Sequence, residues 1–348
     1  SRCHLYPPTP NTSISRAAEY WPTRWNICLR ISHERHRCTL DLADVWPENV
    51  RRCDQILDLN EATEKLQQHT GITAEATDVT AIGGGNISQA YRVPSDEGPL
   101  FLKLGRSDSY EQFAAEVDGL EALEECGALR TPEILCHGKA GTIAYLFLEW
   151  LDLGRSSAAA ETSLGRSLAQ QHRATAKSFG WSRNNFIGST YQSNELDDDW
   201  TTFWRDRRLR FQLDLAVRNG LPAAYRQAGA KVLAGLEIFF GDREIAPLLL
   251  HGDLWSGNWG SLAADVPCIF DPAVYRGDRE TDLAMTRLFG GFGRAFYDAY
   301  MAAWPLRSGW EERIDLYNLY HLLNHFNLFG GGYLPQIRGT LTRLVERC

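Results

Sequence analysis

The stretch that most restricts this chain is His251-Gly252-Asp253-Leu254-Trp255-Ser256-Gly257-Asn258, followed by the apolar run Val266-Pro267-Cys268-Ile269-Phe270 and then Asp271-Pro272. An Asp followed five residues later by Asn, and then by a short strand ending in a second Asp, is the spacing of a phosphoryl-transfer site. The reason is geometric. The first carboxylate must reach an acceptor hydroxyl, while the Asn amide and the second carboxylate hold Mg²⁺ against phosphate oxygens. A loop followed by a hairpin strand brings Asp253, Asn258 and Asp271 to one spot. A polar surface loop beside an unrelated strand is the bland alternative, and a lone D-x-x-x-x-N match would leave it standing. His251, the strand and the second Asp together favour the phosphoryl-transfer reading.

Upstream residues supply the parts such a site needs. Val79 to Ile82, the turn Gly83-Gly84-Gly85-Asn86-Ile87-Ser88 and the run Ala90 to Val93 read as strand, glycine turn, strand. Glycines there would let backbone amides approach a nucleotide phosphate, although a glycine-rich hairpin is as often only a turn. Lys103 sits in the apolar strand Leu100 to Leu104, where a charged head needs a partner or a ligand, unless the strand is an edge and the side chain snorkels into water. Tyr110 to Cys126 has helical spacing, with Phe113, Val117, Leu120 and Leu123 on one face. Glu116 falls on or beside that face and is the natural partner of Lys103, with Glu121 or Glu124 as alternatives. After the strand Tyr145 to Leu148, Glu149-Trp150-Leu151 occupies the position of a hinge, where backbone groups would read the adenine edge of ATP.

The remainder is helical, with runs near Leu164 to Ala176, Trp200 to Asn219, Leu221 to Phe240, Ile314 to Phe329 and Ile337 to Glu346. The expected fold class is therefore α+β and bilobal: a small β-rich N-lobe over residues 56–149 that binds nucleotide, and a larger, mostly α-helical C-lobe over 150–348 that holds the catalytic and substrate-binding groups. Residues 1–55 mix Pro, Arg, His and Trp without apolar periodicity and read as a poorly ordered N-terminal extension. His33, His36 and Cys38 lie close together in it, but their spacing matches no ligand pattern of known geometry.

Charge limits the partners. With 36 Lys plus Arg against 44 Asp plus Glu, the formal charge of -8 has the wrong sign for a phosphate backbone or an anionic membrane, so neither nucleic acid nor membrane is expected as a partner. No stretch approaches the roughly 18 apolar residues of a membrane span. The eight cysteines include no C-x-x-C pair, which suits reduced thiols in the cytoplasm better than a disulfide framework. Oligomeric state is not legible.

His251 to Asn258, together with Phe270-Asp271-Pro272-Ala273-Val274-Tyr275, Gly277-Asp278-Arg279-Glu280 and Asp282-Leu283-Ala284-Met285, resembles the fructosamine kinase (ketosamine-3-kinase) family, whose members have a protein-kinase-like fold. The resemblance runs from about residue 57 to the end and includes Asn185-Phe186-Ile187-Gly188 and Phe289-Gly290-Gly291-Phe292. It implies ATP and Mg²⁺ as cofactors and phosphorylation of the 3-hydroxyl of a ketosamine, free or protein-bound, with ribulosamine as first choice over fructosamine and erythrulosamine. It implies Asp253 as catalytic base, Asn258 and Asp271 as Mg²⁺ ligands and Lys103 paired with Glu116 over the phosphates. It also implies that Trp255 stacks on the substrate sugar, against the plain reading of a loop-packing aromatic.

His251 and Asp282 are expected to tie down the catalytic loop, while Asp278, Arg279 and Glu280 either line the cleft or pair with one another. Many relatives carry a Cys after the loop glycines; Asn86 stands there in this chain, so no disulfide switch is expected through that loop. Two other readings remain: an aminoglycoside- or choline-kinase-like enzyme of the same fold, which Trp255 and the Gly277 to Met285 run oppose, and a non-catalytic nucleotide-binding pseudokinase, which the joint presence of Lys103, Asp253, Asn258 and Asp271 opposes. Deleting residues 1–50 should leave kinase activity intact, and an activity assay on the truncated chain tests the boundary; loss of folding or turnover would move it upstream.

Overall fold

Two opposite faces of one antiparallel sheet explain the first lobe. The structure, a computed structural model, describes residues 48–76, 78–82, 89–241 and 243–348, with side chains from residue 58 onward. The Gly83 to Ser88 turn and the His33, His36 and Cys38 grouping lie outside the described residues. Helix α1 (Glu48–Thr70) begins ahead of Leu57, where apolar periodicity first becomes readable. Strands β1 (Thr80–Ile82), β2 (Gln89–Val93) and β3 (Leu100–Arg106) follow, then helix α2 (Tyr110–Cys126) and strands β4 (Ile134–Ala140) and β5 (Ile143–Glu149). The sheet order is β1-β2-β3-β5-β4, with every neighbour antiparallel.

Side chains alternate across this sheet, and each face has its own helix. Leu100 and Leu102 of β3 and Tyr145 and Phe147 of β5 pack with Leu59, Ala62 and Leu66 of α1. Ala144, Leu146 and Leu148 of β5 pack with Phe113, Val117 and Leu120 of α2. Lys103, one residue beyond Leu102 and paired in register with Leu146, therefore faces α2. Burial of each large α2 side chain contributes about 1.5–3 kcal/mol, which fixes the helix against the sheet. Gly127 ends α2 in the left-handed region at φ +65°, its N–H donating to Glu124 O at 2.9 Å.

The second lobe contains α3 (Ala158–Gln171), the hairpin β6 (Asn185–Ile187) and β7 (Thr190–Gln192), α4 (Trp200–Phe203), α5 (Arg210–Arg218), α6 (Ala223–Ala234) and α7 (Leu236–Phe240). Strands β8 (Leu248–Leu250), β9 (Trp259–Ser261), β10 (Pro267–Ile269) and β11 (Tyr275–Gly277) come next, then α8 (Glu280–Leu288), α9 (Arg294–Ala303), α10 (Trp310–Phe329) and α11 (Leu334–Val345). The single helix expected over Trp200 to Asn219 is interrupted by a π-helical turn at Trp204–Leu209. The wider turn directs Trp204, Arg208 and Leu209 inward. There the Arg208 guanidinium lies 4.1 Å from the Tyr275 ring centroid and 4.6 Å from that of Phe203.

Two small ladders position the chemistry. β8 pairs with β11 (Leu250 opposite Tyr275), and β9 pairs with β10 (Trp259 opposite Ile269). The connection from β8 to β9 carries Asp253 and Asn258, and that from β10 to β11 carries Asp271, so the two loops run side by side. Phe270 N donates to Asn258 O at 3.1 Å and Ala273 N donates to His251 O at 2.8 Å. Among the described residues, no helix is long and apolar enough to cross a membrane.

Helices α3 and α9 approach so closely at Gly165 that a Cβ there would lie 2.2 Å from Phe296 O. Because the obstacle is backbone, Gly165→Ala should force the helices apart and cost about 1–3 kcal/mol despite the better helix propensity of alanine. A denaturant titration showing a stabilised variant would contradict this packing.

Candidate active site

The Lys103 ammonium joins the two lobes at the site. Its Nζ donates to Glu116 Oε1 at 2.7 Å and to Asp271 Oδ1 at 2.6 Å. Burial alone would lower the pKa of this lysine, but the charges of Asp271 and Glu116 outweigh it and raise the value. Of the three candidate partners on α2, Glu116 is the one on the Lys103 side, while Glu121 and Glu124 are exposed.

Asp253 stands on the loop after β8. Burial, reinforced by the nearby charge of Asp271 and opposed by a hydrogen bond from Asn258, pushes its carboxyl up to about 7. Asn258 Nδ2 lies 2.9 Å from Asp253 O, 3.3 Å from Asp253 Oδ2 and 3.4 Å from Asp271 O, so the amide nitrogen binds both loops and the carbonyl Oδ1 is the atom left for a cation. Asp271 has φ +56°, a left-handed conformation that is uncommon for a residue with a Cβ and is found where function holds the backbone.

The loop that carries Asp253 is held from beneath by one carboxylate. Asp282, near the start of α8, accepts from His251 N at 2.8 Å and Gly252 N at 2.9 Å. His172 Nε2 lies 3.1 Å from the same carboxylate and Tyr300 OH lies 2.9 Å from His172 Nδ1, which fixes the imidazole with its proton on Nε2. Burial would raise Asp282, but the His172 bond, the nearby histidines and the Gly252 N–H outweigh it and hold the acid below its ordinary value. His251 Nε2 is 3.0 Å from Phe270 O and its Nδ1 is 3.3 Å from Asp253 N. A carbonyl only accepts, so this ring is neutral with its proton on Nε2, and burial lowers its pKa in keeping with that. Gly252, at φ +83°, leaves no room for a side chain, since a Cβ would lie 2.0 Å from Ala273 O. These contacts give His251 and Asp282 the loop-holding roles expected of them.

Lys103, Glu116, Asp253, Trp255, Asn258 and Asp271 line one cavity of about 490 Å³. Trp255 is 38% exposed, lies over Gly257 and meets Phe289 edge-on at 6.3 Å, so part of its ring stays open to the cavity. Glu149, Trp150 and Leu151 are not among the residues lining that cavity. Glu149 accepts from Arg130 and from Glu133 N, its own N–H is donated to Glu133 O, and Trp150 lies beneath Arg92 at 5.5 Å. Asp278 and Glu280 pair inward rather than lining the cleft. Tyr317 OH donates to Asp278 at 2.6 Å, Arg313 Nε lies 2.6 Å from Glu280, and Arg243 bridges the two acids. Arg279 stacks on Trp304 at 3.9 Å and donates to the carbonyls of Trp304 and Pro305. Sequence reading missed the contribution of Asn324, His325 and Tyr333 to the cavity. The available signal was a pair of polar residues inside the apolar run of α10.

The donor set suits a hard divalent cation. Asp253, Asp271 and Glu116 supply three negative charges when ionised, against one positive charge from Lys103, a formal excess of -2 around Asn258 Oδ1. Oxygen ligands with excess negative charge are what Mg²⁺ takes.

A profile of the fructosamine kinase family matches residues 59–347. A "Probable ketoamine kinase" of Synechocystis sp. is 42% identical over 284 residues, covering 81% of this chain and 95% of that protein. The chloroplastic protein-ribulosamine 3-kinase of Arabidopsis thaliana is 40% identical over 269 residues, 76% of this chain and 81% of the plant protein. A crystal structure described as that of a fructosamine-3-kinase, from Thermobifida fusca, superposes with a TM-score of 0.74 at 32% identity, covering 82% of this chain and 99% of the other.

The raised pKa of Asp253 has a signed consequence for stability. Between its ordinary 3.8 and about 7 the folded protein holds a proton that the unfolded chain releases, so this contribution is complete at low pH and is lost as pH rises through about 7. In protein free of nucleotide and divalent cations, Asp253→Asn should match the wild-type melting temperature near about pH 4 and exceed it by about pH 8. Melting curves that stay parallel across that range would contradict a buried carboxyl.

Proposed function

The chain belongs to the fructosamine kinase family, and from that premise we propose that it transfers the γ-phosphoryl group of ATP to the 3-hydroxyl of a ketosamine, with ribulosamine adducts as its first acceptors. The observation that carries this reading is the convergence of Lys103, Glu116, Asp253, Asn258 and Asp271 on one cavity from four separate segments of chain.

Each residue has a role that follows from its surroundings. Asp253, half-buried and carrying a raised pKa, accepts a hydrogen bond from the acceptor hydroxyl and takes its proton as the oxygen attacks the γ-phosphorus. The bond from that phosphorus to the β,γ-bridging oxygen breaks, and ADP leaves with the electron pair. Asn258 orients the carboxylate, because its amide nitrogen spans Asp253 O and Oδ2. Lys103, kept charged by its two acids, holds phosphate oxygens of the nucleotide. Asn258 Oδ1 and the Asp271 carboxylate would hold Mg²⁺. When bound, that ion neutralises charge on the phosphate oxygens. Trp255 offers its exposed ring to the apolar face of the sugar.

The product explains the purpose. Phosphate on the carbon beside the ketone is a good leaving group, and its elimination breaks up the adduct and frees the amine. The protein thus acts in repair of glycated amines.

Release of ADP should be seen with ribulosyl-lysine, more weakly with fructosyl-lysine, and not with aminoglycosides or choline; activity on the last two alone would replace the ketosamine reading. Asp253→Asn should keep ATP binding while kcat falls roughly 10²- to 10⁴-fold. Near-normal turnover in that variant would remove Asp253 from the base role.

A further inference from the structure

Part of the cavity wall is made of groups that phosphoryl transfer does not use. His325 of α10 stands there with Phe289, Phe329 and Tyr333 around it, their ring centroids 4.8, 5.6 and 5.2 Å from that of the imidazole. All four line the same space as Asp253.

The helix that carries His325 restricts what its ring can do. Nδ1 lies 2.9 Å from His321 O, and since a carbonyl only accepts, Nδ1 carries the proton. Nε2 of the neutral ring is then an acceptor, and it has no hydrogen-bond partner among the described residues. Burial also lowers the pKa of this histidine, which keeps the lone pair available at neutral pH. An acceptor flanked by aromatic rings, in a cavity whose other titratable groups include Asp253, Asp271 and Glu116, suits a cationic N–H donor. The nitrogen lone pair takes the hydrogen bond, and three aromatic rings lie within about 6 Å of the imidazole. A phosphate would find no donor at Nε2.

We propose that His325 Nε2 accepts a hydrogen bond from the protonated secondary amine of the ketosamine, with Phe289, Phe329 and Tyr333 surrounding the charge, so that this corner of the cavity selects N-linked adducts. The inference rests on the ketosamine reading above and adds the residues that recognise the amine. The chemistry of the adduct agrees with the arrangement. The amine lies on the carbon at one side of the ketone and the reacting 3-hydroxyl on the carbon at the other. One small molecule therefore presents its hydroxyl to Asp253 and its ammonium to a second wall of the same cavity. The carboxylates are poorer partners for this ammonium, because Asp271 is taken by Lys103 and Asp253 by Asn258 and the hydroxyl.

The test compares two acceptors, a 1-alkylamino-1-deoxyribulose and the matching O-alkyl ether, which keeps the sugar but cannot carry the positive charge. Wild-type enzyme should favour the amine in kcat/KM. His325→Ala should reduce that preference roughly 10- to 100-fold, mainly through KM for the amine, with the ether little changed. His325→Gln, whose amide oxygen also accepts, should recover part of the preference. Phe329→Leu, on an exposed residue, should reduce it roughly 2- to 5-fold, and this variant carries the comparison if melting shows His325→Ala to be unfolded. An unchanged amine-to-ether ratio in folded His325→Ala, or in Phe329→Leu where His325→Ala is unfolded, or an equal loss for both acceptors, overturns the inference while leaving ketosamine kinase activity in place. Failure of the wild-type enzyme to use any ketosamine overturns both.

Discussion

Lys103 Nζ stands 2.7 Å from Glu116 and 2.6 Å from Asp271, joining a strand, a helix and a loop that lie as far as 168 residues apart in the chain. Burying this ammonium without partners would be strongly unfavourable; Lys103 is buried and Glu116 nearly so, and removing one member of such a pair typically costs about 3–5 kcal/mol, whereas the Asp271 side chain is half-exposed. The surrounding packing is organised to meet that demand. Alternation along β3 turns Lys103 away from the α1 face, and the apolar contacts of Phe113, Val117 and Leu120 hold α2 at the height where Glu116 meets it. The third partner comes from the other lobe, so the active arrangement depends on the two lobes keeping their relative position.

Beneath the loop that carries Asp253, the demand is met by backbone rather than side-chain chemistry. Asp282 binds two consecutive N–H groups and an imidazole whose far side is held by Tyr300. A carboxylate with three donors is a rigid support, since each bond is charge-assisted and the side chain is buried. The carboxyl with a raised pKa, Asp253, is thus set beside one held ionised, Asp282. The same contrast of environments separates catalytic from supporting carboxylates generally.

The two-lobed order, the Lys103 strand and the whole of α2 were readable because period 2 and period 3.6 are local signals carried by apolar residues. Asp253, Asn258 and Asp271 were readable because their spacing is itself the geometry of adjacent loops. β4 was not assigned, since Cys136, His137, Gly138 and Lys139 obscure its alternation and only pairing with β5 makes it a strand. The π-helical turn at Trp204 was also hidden, because its cause is the distant ring of Tyr275 under Arg208. His325 escaped for a related reason: the polar pair Asn324-His325 inside an apolar helix marks an unusual spot, but only the assembled fold shows that it faces a cavity formed with Phe289 and Tyr333. Contacts that depend on the assembled fold leave little trace in any short window of sequence.

The backbone at Asp271 carries a further implication. Its φ of +56° is one that glycine or asparagine adopts more readily than aspartate. Replacing the residue would relieve that conformation but leave the Lys103 ammonium with Glu116 alone, so the ion pair across the lobes is what keeps an unfavourable backbone in place. The strained turn and the salt bridge are two sides of one constraint, and neither can be relaxed without loss of the other.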